Sequence, residues 1–135
     1  AYSLAILYGL IPKKEAPVVI DKILNDTALY QCEPFFSYYI LKMLESTNNH
    51  SLALNFIKNK WGTMTVEPST TFWENWRYDI SDRNRKVFPK SRSLAHAWSC
   101  SPNIFLTWAL SGFNIDYKKK SLSLIQNTLC WILVK

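Results

Sequence analysis

The apolar residues of this chain change their period once. Up to Gly112 they recur at helical spacing, in segments that stop at glycine or proline; beyond it they alternate with polar residues. A chain patterned in this way is expected to be mainly α, with helices paired by short turns and a β-type tail.

Ala1 to Leu10 is a nearly continuous apolar segment ending at Gly9 and Pro12, which reads as the last turns of a buried helix. Glu15 to Asn25 follows as a short amphipathic helix, with Pro17 in its first turn and Val19, Ile20, Ile23 and Leu24 on one face. Joined through the Gly/Pro turn, the two make a hairpin. The next pair repeats the plan. Pro34 suits the first position of a helix carrying Phe35, Phe36, Tyr39, Ile40, Met43 and Leu44 inward, with Lys42 and Glu45 outward. Ser51 can cap a further helix through Lys58, with Leu52, Leu54, Phe56 and Ile57 inward, and His50 falls in the connecting turn with no role. Trp61 to Pro68 is expected as a loop, and Tyr78 to Arg92 as a charged surface loop. Ser101-Pro102 opens a last helix that Gly112 ends.

Past Gly112, Leu122 and Leu124 alternate with serines, and Leu129 to Val134 is a β-prone run. Two or three strands would leave an edge and a face uncovered, so residues 113–135 read as the opening of a β-domain after a helical domain at 1–112.

Six tryptophans, seven tyrosines and seven phenylalanines in 135 residues exceed what a small core uses. Some must line a groove or face further protein. The formal charge of +6 suggests an anionic partner in principle. However, Arg77, Arg83, Arg85, Lys86, Lys90 and Arg92 crowd one loop, with no phosphate loop, zinc-finger spacing or basic helix, so nucleic acid is not expected as a partner. Cys32, Cys100 and Cys130 stand alone with no CxxC, so free thiols and no metal site are expected. No leucine-rich leader opens the sequence and no apolar run approaches the ~20 residues of a membrane span.

The chemistry concentrates in two stretches, Thr70-Thr71-Phe72-Trp73-Glu74-Asn75-Trp76 and Ser93-Leu94-Ala95-His96-Ala97-Trp98-Ser99. A pyranose has a face of C–H bonds and a rim of hydroxyls. Indole rings such as Trp73 and Trp76 can cover the face while Glu74 and His96 bond the rim, and Glu74 can also move a proton. The same spacing fits a plainer role, because Thr71-x-x-Glu74 is a capping box at the start of a short helix bearing Trp73, Glu74 and Trp76. His96 in an apolar setting likewise fits a hydrogen-bonded structural histidine. Both readings stand on these residues.

Taken in order, Gly9-Leu10-Ile11-Pro12, Pro34-Phe35-Phe36-Ser37-Tyr38-Tyr39, Trp61-Gly62-Thr63-Met64, Thr70-Thr71-Phe72-Trp73-Glu74 and Ser93-Leu94-Ala95-His96-Ala97-Trp98-Ser99 resemble the C-terminal part of the bacterial α-L-rhamnosidases, glycoside hydrolase family 78. The resemblance covers nearly the whole chain. It implies the C-terminal hairpins of an (α/α)6 six-hairpin toroid, followed by the first strands of a C-terminal β-sandwich. It further implies Glu74 as the general base that activates water, and His96, Trp73, Trp76 and Trp98 as residues of the sugar pocket. A rhamnoside would be the substrate, no cofactor or metal would take part, and the remainder of the same polypeptide would be a partner.

The family inverts the anomeric centre, which sets base and acid carboxyls roughly 6.5 to 9.5 Å apart. Its general acid lies on an earlier Asp/Arg/Glu motif that this chain does not contain, and about five helices stand here where twelve close the barrel. The chain is therefore expected to be part of a longer enzyme, with another six-hairpin glycosidase, a non-catalytic carbohydrate-binding or interaction remnant, or a plain structural helical domain as alternatives. A further departure is Cys32-Glu33 before Pro34, where relatives more often carry small residues.

Overall fold

A computed structural model describes residues 1–65, 71–76, 93–116 and 119–124. Among these the chain is mainly helical: α1 (Tyr2–Leu7), α2 (Ala16–Asn25), α3 (Pro34–Ser46), α4 (His50–Trp61) and α5 (Ser101–Ser111) precede β1 (Phe113–Asp116) and β2 (Ser121–Leu124). The expected surface loop at Tyr78 to Arg92 and the apolar run Leu129 to Val134 lie outside the described residues. Contacts divide the chain into two compact units, Ala1–Ser101 and Pro102–Lys135.

In the first unit, α3 is the central element, packed on α1, on α4 and on a 3-10 turn at Ala97–Ser99. Leu41, Met43 and Leu44 of α3 are fully buried, and Ala16 and Ile20 of α2 and Ala53, Phe56, Ile57 and Trp61 of α4 are buried as well. The buried residues of α3 are Pro34, Ser37, Ile40, Leu41, Met43 and Leu44, most of them spaced three or four apart. Phe35 falls off that stripe and is 45% exposed, contrary to its expected inward position. Ser37 can sit inside because its hydroxyl donates to the Glu33 and Cys32 carbonyls.

The helix ends follow local rules. After α1, Gly9 takes φ +72, and the Gly9 and Leu10 amides return to Ile6 and Ala5 carbonyls, a Schellman stop that needs a residue tolerant of positive φ. Asn48, at φ 58, closes α3 in the same way, with Asn48 and Asn49 amides on Glu45 and Leu44. Pro17 and Pro34 stand in the first turns of α2 and α3. Two expectations shift along α4. It begins at His50 rather than after a Ser51 cap, so His50 is helical and half-buried, and it runs on to Trp61, which is 4% exposed. With that register Ala53, Phe56, Ile57 and Trp61 face the core, while Leu52 is 40% exposed. The helix α1 is half-buried, with Tyr2 exposed and Tyr8 exposed just after it, where a buried helix was expected.

In the second unit, Phe105, Trp108 and Ala109 form the buried side of α5, and Gly112 ends it at φ 70. Strands β1 and β2 then pair antiparallel, with Phe113 opposite Leu124 and Ile115 opposite Leu122. The period change read at Gly112 is thus a change of structure. No helix among the described residues is long and apolar enough to cross a membrane.

Candidate functional site

Residues 71–76 form no helix; they run as bends alongside residues 93–96. The His96 amide donates to the Phe72 carbonyl at 2.8 Å, and the Glu74 amide to the Ser93 carbonyl at 2.9 Å. The Ser93 amide donates in turn to Glu74 Oε2 at 2.7 Å, and the Thr71 hydroxyl donates to the Leu94 carbonyl. The expected capping box is therefore not formed. Its two side chains, which would have satisfied amides of their own turn, are instead engaged by backbone some twenty residues on.

One consequence concerns Glu74. Ser93 holds a single carboxylate oxygen, and Oε1 has no protein partner among the described residues. A carboxylate oriented through one oxygen and open at the other can accept a proton from a water or a hydroxyl. The half-buried His96 is in a similar condition. Its ring meets Trp98 edge-to-face at 5.8 Å, and neither ring nitrogen is hydrogen-bonded among the described residues. Such an imidazole retains its full capacity to donate to or accept from a bound hydroxyl.

The four tryptophans of the region differ in surroundings. Trp98 is 68% exposed and stands 5.1 Å from Phe35, ring centre to ring centre, so these two rings and the His96 imidazole form a continuous aromatic surface. Trp73 is 4% exposed, with its amide 3.5 Å from the Met64 sulfur, and contributes to the interior rather than to an open wall. Trp76 is half-buried and held on three sides. Its amide donates to Glu33 Oε2 at 3.1 Å, its indole N–H donates to the Cys32 carbonyl at 2.6 Å, and its ring stands edge-on to Trp61 at 4.7 Å. The Lys60 ammonium lies 6.0 Å from the centre of the same ring. Trp61 itself donates from its indole to the Ser99 carbonyl at 2.9 Å.

Sequence reasoning gave no role to Glu33, Phe35 or Trp61. A signal was present for Glu33, because glutamate is a poor residue for the position before a helix whose first residue is proline. For Trp61 the helical register of α4, extended one turn, would have placed it on the buried face with Ile57. Cys32 and Cys100 are free half-buried thiols, and no cluster of three metal-ligating side chains occurs among the described residues.

Compared with family models, curated proteins and solved structures, the chain matches none of them.

Proposed function

We propose that this chain is the C-terminal part of an inverting glycoside hydrolase of the α-L-rhamnosidase type. Its helices would belong to an (α/α)6 six-hairpin toroid, and its hairpin would open a β-sandwich. The observation that carries the reading is the condition of the two central side chains. Among the described residues Glu74 Oε1 and both nitrogens of His96 have no hydrogen-bond partner, and they stand on two stretches joined by backbone hydrogen bonds. A capping glutamate would hold an amide of its own turn, and a structural histidine would ordinarily bond through a ring nitrogen.

In this reading Glu74 Oε1 takes a proton from a water as its oxygen forms a bond to the anomeric carbon, on the face opposite the departing group. The glycosidic C–O bond breaks, and the leaving oxygen takes its proton from a general acid elsewhere in the polypeptide. His96 bonds a ring hydroxyl, and Trp98 covers the apolar face of the sugar. The Ser93 amide keeps the carboxylate facing the water through the reaction.

Binding of the monosaccharide tests this on the chain itself. Titrating L-rhamnose into the labelled protein should shift the His96 ring and Trp98 indole resonances together, and Glu74→Gln should leave that shift in place. Rhamnose that moves neither resonance at millimolar concentration contradicts the reading. A second reading is favoured by the exposed Phe35–Trp98 pair: a surface that stacks on sugar serves binding without hydrolysis, as a non-catalytic carbohydrate-binding remnant would.

A further inference from the structure

Glu33 occupies the N-cap position of α3, where a side chain ordinarily accepts an amide of its own first turn. It makes no such bond. Its Oε2 instead accepts the amide of Trp76, 43 residues further along, at 3.1 Å. The carbonyl of the preceding residue, Cys32, accepts the indole N–H of the same tryptophan at 2.6 Å. The Trp76 ring meets Trp61 at 4.7 Å and 88°, Trp61 donates to the Ser99 carbonyl at 2.9 Å, and the Ser99 amide donates to the His96 carbonyl at 3.0 Å. A continuous path of contacts thus joins the start of α3 to the Glu74 turn and then to the His96 turn.

The Glu74 turn depends on such outside support. Residues 71–76 form no helix, and bonds from outside the segment help to fix it: the His96 amide donates to Phe72, while the Ser93 and Cys32 carbonyls and the Glu33 carboxylate accept from Glu74 and Trp76. Among these acceptors Glu33 is the charged one, and an ionised acceptor makes a stronger bond to an N–H than a neutral carbonyl. It acts on Trp76, two residues from Glu74.

We propose that Glu33 is a positioning residue of the candidate site: its carboxylate, with the Cys32 carbonyl, fixes Trp76 and so sets the orientation of Glu74 against Ser93. The proposal rests on the reading of Glu74 as the base of that site. Glu33 touches neither sugar nor water in this role; it acts through the turn. Trp61 carries the same restraint onward to the His96 stretch.

Amide hydrogen exchange on the 135-residue chain tests it, using wild type, Glu33→Ala and Glu33→Gln. In Glu33→Ala the amides of Trp76, Ser93 and His96 should exchange roughly tenfold faster or more, while those of α4 keep their rates. Glu33→Gln retains a carbonyl oxygen as acceptor and should restore most of the lost protection. A helix-capping role would move α3 amides alone, and a general loss of stability would raise exchange throughout α1 to α4. Either pattern overturns the proposal, as does a Gln variant that exchanges like the Ala variant. No sugar or turnover enters the measurement, so it can fail while the hydrolase reading stands, and it can succeed if Glu74 proves to have no part in hydrolysis.

Discussion

Glu74 and Ser93 hold each other twice, the Glu74 amide on the Ser93 carbonyl at 2.9 Å and the Ser93 amide on Glu74 Oε2 at 2.7 Å. The side-chain half of this exchange needs only an acceptor oxygen. Glu74→Gln therefore keeps it and should unfold within a degree or two of wild type, whereas Glu74→Ala should lose about 1 kcal/mol in denaturant unfolding. Equal losses in the two variants would show that the charge, and not the acceptor, is what Ser93 requires.

Trp73 and Trp98 should separate stability from binding. Trp73 is 4% exposed, so Trp73→Ala removes a large core side chain and should cost about 3 to 5 kcal/mol. Trp98 is 68% exposed, and Trp98→Ala should stay within about 0.5 kcal/mol of wild type. The same substitution should weaken rhamnose binding about fivefold or more, since it removes the open aromatic face. Urea unfolding and a rhamnose titration of both variants check the contrast; a Trp98→Ala protein that binds as wild type removes Trp98 from the site.

Burial holds the His50 imidazole below its usual value of 6.5, against a smaller upward pull from Glu45. The unfolded chain therefore binds a proton at His50 more readily than the folded one. Stability from this group is fully present above about pH 6.5 and is lost as pH falls toward the lower folded value. The thermal midpoint should drop between pH 7 and pH 5.5, and His50→Gln should flatten that part of the profile. An unchanged slope in His50→Gln would assign the loss to other groups.

Much of the helical framework was legible because its punctuation is local. Gly9, Pro17, Pro34 and Gly112 act on the turn in which they stand, and each marks a helix end in the structure. Register was harder. Phe35 looks inward by composition, yet the stripe through Ser37, Leu41 and Leu44 leaves it outside, because a buried serine bonded to its own helix's carbonyls reads as polar in sequence. The Glu74 and His96 stretches stand out by residue type alone, but the conformation of the first does not. A Thr-x-x-Glu spacing encodes a cap only if its amides have no better partner, and here the partners lie 19 and 23 residues away. The Glu33–Trp76 bond, across 43 residues, leaves no local pattern at all.

The central claim is that Glu74 removes a proton from water during hydrolysis of a rhamnoside. Its most direct test is the steady-state hydrolysis of an aryl α-L-rhamnoside by the full polypeptide that carries this chain, wild type against Glu74→Gln, with melting temperatures measured beside it. The amide keeps the Ser93 bond but cannot accept the proton, so kcat should fall by roughly 10² to 10⁴ with the melting temperature and sugar affinity nearly unchanged. Normal turnover by a Glu74→Gln enzyme would contradict the account, whatever its melting temperature.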